Sequence, residues 1–280
     1  MLKRVITGVV ATLIFIPICI FSDYIVFPIV ISLLSVIGVF EMAKCLGQHK
    51  NLVLTIPMYL IAAVLPILRY ILIHQSHFFS LALIAVFFML IYTLAYVMFR
   101  KNKDKLSEIL TFYALFLYIV GCFSSIVCVR YFRGETGNMG KYIYALIFLG
   151  AWICDTFAYF TGRLIGKHKL IPEISPKKTI EGSIGGIVFT IIAFLIYGLV
   201  VNNVWKEEIQ LSYVLLAIMG FFASIISQIG DLIASAIKRQ YDIKDYGNLF
   251  PGHGGVLDRF DSVMLVAPVT YIIFYIASII

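Results

Sequence analysis

The sequence predicts an all-α fold: a polytopic bundle of about nine membrane-spanning helices, N-terminus inside and C-terminus outside. Three observations predict it. Hydrophobic residues make up 61% of the 280 and charged residues only 13%, against about half and about a quarter in a soluble domain. The mean hydropathy is +0.99. Runs without Asp, Glu, Lys or Arg recur along the chain, and a helix needs roughly 20 apolar residues to cross a ~30 Å hydrocarbon core. Such a composition excludes a soluble domain, a disordered chain and a nucleic-acid binder. An open sheet cannot leave its backbone unsatisfied in lipid, and the period-two alternation of a barrel is missing from the sequence.

In order, the uncharged runs are Val5–Ser22, Tyr24–Phe40, Asn51–Leu68, Phe78–Phe99, Ile109–Val129, Tyr142–Cys154, Gly182–Trp205, Ile209–Gly230 and Ser262–Ile280. The first follows Met-Leu-Lys-Arg, as a signal peptide would. It lacks a small-x-small cleavage site and is long for an h-region, so it reads as a retained span. The sixth is interrupted by Asp155 and resumes at Thr156–Thr161; the eighth continues past Asp231 to Ile237. With the N-terminus inside, 17 of the 22 Lys and Arg fall in inside segments and 5 in outside loops. That asymmetry sets the orientation and supports the count of nine, because a missed span would flip every later loop. The net charge of +7 then reflects topology and anionic headgroups more than a basic partner.

The chain divides by character. Residues 1–140 hold about five spans with short basic loops. Residues 141–280 hold nearly all the unusual polar residues and two long inside loops, 162–181 and 238–257, rich in Gly, Pro and Lys. Function is expected in this second half, on the cytoplasmic side. The five cysteines (Cys19, Cys45, Cys122, Cys128, Cys154) include no C-x-x-C pair and read as reduced, buried small residues. His49, His74, His77 and His168 read as interface residues, and no pair has zinc-ligand spacing. Glu41, three before Lys44 at a helix end, reads as half of an interfacial salt bridge.

Ionisable residues inside spans are costly and point to function. Asp155 and Asp231 qualify, and Asp258 and Asp261 start the last helix. Ser227, Asp231 and Ser235 are four apart and share a helix face that Lys238 continues; Asp258 and Asp261, three apart, share another, as do Asp155 and Tyr159. Converging carboxylates repel one another unless a cation sits among them, and Mg²⁺ prefers such hard oxygen ligands together with substrate phosphates. A proton or ion relay is a second reading of the same acids. A third pairs each with an Arg or Lys, for example Asp258 with Arg259 or Arg239.

Two loops add phosphate-binding character. Ile174–Gly182 carries Lys177, Lys178 and Thr179 just before a helix, whose free N–H groups and dipole favour an anion. As a plain positive-inside loop it would still be capped by Thr179. Gly182, Gly185 and Gly186 allow close approach of a ligand or another helix. Lys244–Gly255 places three glycines and a proline around His253 and delivers the chain to Asp258, a combination that suits a triphosphate and a metal held together. No Walker G-x-x-x-x-G-K-[ST] occurs, so this is not a P-loop enzyme.

From Ser235 to Asp261 the chain reads Ser235-Ala-Ile-Lys238-Arg239, Lys244-Asp245, Gly247, Phe250-Pro251, His253-Gly254-Gly255 and Asp258-Arg259-Phe260-Asp261. This resembles, without departure, the signature of the phosphatidate cytidylyltransferases, or CDP-diacylglycerol synthases. A second matching segment holds Asp155, Ala158-Tyr159, Gly162-Arg163, Gly166-Lys167 and Ile174–Gly182. The motif-bearing part spans about residues 150–262; the first half carries little specific likeness beyond its many helices.

The resemblance implies that CTP and phosphatidic acid become CDP-diacylglycerol and pyrophosphate with Mg²⁺, in a dimeric multi-pass enzyme of the cell membrane whose site faces the cytoplasm. On this expectation Asp231 and Asp258 are the main metal ligands, with Asp261 and Asp155 as further ligands or water holders around Mg²⁺ and a second cation. Lys178 counts with Asp231, Asp258 and Asp261 among the catalytic groups. Ser175, Lys177, Lys178, Thr179 and Glu181 would hold substrate phosphate. Lys244 and His253 would contact pyrophosphate, while Lys238, Arg239 and Arg259 would pair with anions or with the aspartates. The nucleotide could be CTP or dCTP. The nearest rival is another CTP-dependent lipid enzyme, such as a polyprenol kinase or an archaeal-type lipid cytidylyltransferase. A rival from another class is a secondary transporter using the intramembrane aspartates, though such proteins usually show repeated halves and none is visible.

Overall fold

Charged and glycine- or proline-containing turns cut the chain into helices in the computed structural model, which describes residues 13, 15–72, 77–99, 106–132, 139–205 and 209–279. The helices are α1 Val26–Cys45, α2 Leu52–Ile71, α3 Phe78–Phe99, α4 Leu106–Arg130, α5 Gly140–Ile143, α6 Ala145–Ile165, α7 Ile180–Val204, α8 Tyr213–Gln240 and α9 Leu257–Ala277. The strands β1 Lys169–Ile171 and β2 Ser175–Thr179 form one antiparallel hairpin. Among the described residues, eight helical segments, α5 and α6 counting as one, are long and apolar enough to cross a membrane. Residues 5–12 and 14 of the expected first span lie outside the described residues. So do His74 and the basic residues at 3, 4, 100, 101, 103, 105, 133 and 206.

The sixth expected span is longer than the uncharged run suggested. Gly140–Ile165 runs as a single apolar segment with Asp155 inside it, and Asp231 likewise lies within α8. Lipid gives the backbone no other partner than its own helix, so a lone aspartate does not break the helix that carries it. Polar side chains inside the helices turn back on the preceding turn: Thr93, Thr190 and Thr270 donate to the carbonyls of Met89, Gly186 and Val266 at 2.7–2.8 Å.

The chain forms two compact units. The first comprises residues 1–127 and 243–258. Here α1 packs along α2, and Phe27, Ile31, Met42, Leu54, Met58, Phe112, Phe116 and Phe123 are buried. Tyr113 ties α4 to α3 by donating to the Val86 carbonyl at 2.7 Å. The segment 243–258 belongs to this unit although 115 residues intervene, from Cys128 to Asp242.

The second unit comprises residues 128–242 and 259–280. Its centre is the crossing of α6 and α7, which small residues make close. A Cβ on Gly182 would stand 2.6 Å from the Ala158 carbonyl oxygen, and one on Gly186 3.0 Å from Cys154 Sγ. The glycines expected to admit either a ligand or a helix therefore admit a helix. Phe157 and Phe189 stack across the same crossing at 4.1 Å. At the far end, Asn202 accepts from the Leu211 N–H and donates to its carbonyl, at 2.7 and 2.9 Å, closing the connection to α8.

Candidate active site

Three helices and the hairpin of the second unit bring the acids together. Asp231 on α8 faces Lys178 on β2, with Nζ 2.6 Å from Oδ2, and accepts from Ser235 Oγ on Oδ1 at 3.3 Å. Both partners of the ion pair are about a quarter exposed, 24% and 27%. The shared face expected for Asp231 and Ser235 is thus realised. One residue earlier, Gly230 lets α8 close on α9: a Cβ there would stand 2.5 Å from the Asp261 carbonyl oxygen. Asp261 Oδ1 accepts the Ser262 N–H at 2.8 Å. Asp155 on α6 is exposed and lies within electrostatic reach of Asp231, Lys178 and Arg259; Asp261 lies within reach of Asp231, Asp155 and Lys238. The cluster therefore mixes three carboxylates with Lys178, Lys238 and Arg259, and Lys178 supplies the positive charge that the converging acids demand.

Among the described residues no three acids, histidines or cysteines stand close enough to hold a metal ion between them. The donor set nevertheless fits Mg²⁺, which usually takes one or two protein carboxylates and fills its shell with waters and substrate phosphates. All three acids offer hard oxygen.

The hairpin places the lysines differently from one another. The segment expected as a loop pairs in register, Lys169 with Thr179 and Ile171 with Ser175. Lys178 turns inward to Asp231 while Lys177 is exposed and Ser175 half-buried. Thr179 caps α7, its Oγ1 accepting the Gly182 N–H at 3.1 Å. Glu181, expected at the substrate, braces the hairpin. Its carboxylate accepts the Lys167 and His168 N–H groups at 3.1–3.3 Å and meets His168 Nδ1 at 2.6 Å. Arg239 is exposed at the end of α8.

In the first unit, the segment Lys244–Gly255 makes an ordered turn. Phe250 and Gly254 form a bridge, His253 N–H bonds the Phe250 carbonyl at 2.8 Å, and Gly252 and Gly254 take φ of 77° and 86°. His253 Nδ1 has no hydrogen-bond partner among the described residues, and Lys244 is exposed. Asp258 Oδ2 accepts the N–H groups of Tyr246 and Gly255 at 2.8 and 2.9 Å. The residue is 6% exposed. Carboxylates that ligate metals are commonly oriented by such bonds.

The cytidylyltransferase family model matches residues 2–277. The chain belongs to the cytidylyltransferase family. It is 35% identical over 282 residues to the phosphatidate cytidylyltransferase of Bacillus subtilis, covering 97% of this chain and 96% of that protein. Over 195 residues it is 38% identical to the phosphatidate cytidylyltransferase of Staphylococcus haemolyticus, covering 69% and 68%. The Thermotoga maritima protein of the same name is 41% identical over 129 residues, covering 46% and 47%.

Within this family member, Glu41 is the residue whose place the sequence did not predict. It forms no interfacial salt bridge: it is 4% exposed, and its two oxygens accept the N–H groups of Val256 and Leu257, each at 2.9 Å. Burial decides the matter, since a carboxylate this enclosed must be matched by donors on the spot. A distance of 215 residues between the partners leaves no local pattern to read.

Proposed function

We propose that the protein joins CTP and phosphatidate into CDP-diacylglycerol with release of pyrophosphate. The observation that carries the reading is the cluster of Asp155, Asp231, Asp261 and Lys178, drawn from α6, α8, α9 and the hairpin of a cytidylyltransferase-family chain. A lipid phosphate oxygen attacks the α-phosphorus of CTP in line. The bond from that phosphorus to the oxygen bridging to the β-phosphorus breaks, and pyrophosphate leaves with the electron pair. The nucleophile is already an anion, so no strong base is required; the barrier is charge crowding, relieved by positioning and by cations.

Two of the carboxylates of Asp231, Asp261 and Asp155 would hold Mg²⁺ directly and the third through a bound water; Asp258, which starts the helix that carries Asp261, is a further candidate ligand. Bound there, Mg²⁺ would neutralise the triphosphate, and a second cation would share that load. Lys178 would pass from Asp231 to a substrate phosphate oxygen, with Lys177 and Ser175 beside it. Thr179 and Glu181 would act on the substrate through the hairpin they fix. Lys244 and His253 Nδ1 would meet the pyrophosphate half, and Lys238, Arg239 and Arg259 would balance the remaining negative charge. The lysine and arginine asymmetry supports an active site that faces the cytoplasm, where CTP is found, and the family resemblance supports a homodimer.

The test is transfer itself. Purified protein in detergent, given phosphatidate, labelled CTP and Mg²⁺, should carry label into the organic phase, and EDTA should abolish it. No transfer from folded protein overturns the reading, and transfer only to a polyprenyl phosphate changes the lipid.

A further inference from the structure

The head of α9 is held by a carboxylate that the chain supplies from 215 residues away. A helix leaves its first N–H groups without intrahelical partners. Here the first helical N–H and the two that lead into it are met: Leu257 N–H by Glu41 Oε2, Val256 N–H by Glu41 Oε1 and Gly255 N–H by Asp258 Oδ2, all at 2.9 Å. Asp258 closes the local half of this arrangement by reaching back three residues, as the acid of a capping box does. The other half has no local residue and comes from α1.

The backbone has been shaped around the intruding side chain. A Cβ on Gly255 would run into both oxygens of Glu41, and one on Gly247 into Oε1. The two glycines thus make room for one carboxylate. A neutral local cap would satisfy the same N–H groups at a smaller desolvation cost. What Glu41 adds is a fixed tie between a rigid helix and the loop that carries His253 and Asp258. Negative charge at a helix N-terminus is also favoured by the dipole.

We propose that Glu41 is a positioning residue for the reaction: it fixes the loop 244–257 and the head of α9, and so sets where the Asp258 carboxylate stands. The inference rests on the cytidylyl-transfer reading, because Asp258 is a candidate Mg²⁺ ligand there.

The experiment compares the full-length wild type with Glu41→Gln and Glu41→Ala. Gln keeps the shape and one acceptor and turns an amide NH₂ toward the second N–H; Ala removes both acceptors. Turnover should fall about tenfold in Glu41→Gln and about a hundredfold in Glu41→Ala, the scale of a displaced reacting group. The second readout is the Mg²⁺ concentration that half-saturates thermal protection by Mg²⁺ and CTP, which needs no turnover and does not depend on the fraction folded. It should rise several-fold, more in Ala than in Gln. Gly247→Ala should reproduce the shift in wild type and add little in the Glu41→Ala background, where the obstacle is gone.

An unchanged Mg²⁺ midpoint in Glu41→Ala overturns the proposal. Loss of the fold in the isosteric Glu41→Gln also overturns it, by assigning Glu41 to the fold alone. A wild type protected by Mg²⁺ and CTP that transfers nothing to phosphatidate overturns the reaction reading instead, and the midpoints of the variants still decide the role of Glu41.

Discussion

Gly230→Ala converts the closest approach at the acid cluster into a measurable displacement. The new Cβ would stand 2.5 Å from the Asp261 carbonyl oxygen, and an ordinary contact begins at 3.4 Å. Backbone provides no flexible end to swing aside, so α8 and α9 must separate by roughly 0.9 Å at this level. Asp231 is the next residue on one helix and Asp261 is the residue struck on the other, so the shift falls between these two acids. A misplacement of about 1 Å in an active site costs on the order of a hundredfold in rate. The expected result is a hundredfold loss of CTP-dependent lipid labelling from protein that is still folded and monodisperse in detergent. Gly220→Ala is the control. Its Cβ would stand 2.9 Å from Ile191 Cα, on the same helix but about 15 Å along the axis. It should lower the thermal midpoint and leave turnover per folded molecule near wild type. Wild-type turnover in Gly230→Ala would refute the reasoning, because the separation of Asp231 from Asp261 would then be irrelevant to the chemistry.

Three further outcomes are expected. Asp231→Asn should lower turnover by at least about a hundredfold with the fold retained, since the charge facing the reacting phosphates is lost; activity near wild type removes Asp231 from the metal role. Lys178→Ala should raise the KM for CTP or for phosphatidate by about tenfold, as the loss of a charge-assisted contact does, and an unchanged KM for both returns Lys178 to a purely topological role. Thr179→Ala should destabilise by about 1 kcal/mol through loss of the cap on α7, seen as a lower thermal midpoint that Thr179→Ser restores.

The spans were legible because lipid imposes one simple rule, long uncharged runs, and the described helices follow it. Asp231 with Ser235, and Thr179 as a cap, were legible because helical spacing and capping are local. What the sequence concealed is non-local. Ser175–Thr179 looked like a basic loop, and only its pairing with Lys169–Ile171 makes it a strand that turns Lys178 inward and leaves Lys177 exposed. Glu181 lies in a matching motif, but its donors, the Lys167 and His168 N–H groups, come from the turn 13 and 14 residues earlier and were not legible in that motif. Glu41 sat beside Lys44, and nothing near it in sequence announced Val256 and Leu257 as its partners. Asp155 and Asp231 stood out for the reason that makes them costly: a carboxylate in a span persists when something other than packing needs it.

In the proposed reaction a cytidylyl group, and not a phosphoryl group, moves to the lipid. CTP labelled separately at the α- and the γ-phosphate tests it in one pair of reactions with phosphatidate and Mg²⁺. Cytidylyl transfer puts α-label in the lipid and γ-label in released pyrophosphate, in equal amounts. γ-Label in the lipid would contradict it and make the protein a CTP-dependent lipid kinase.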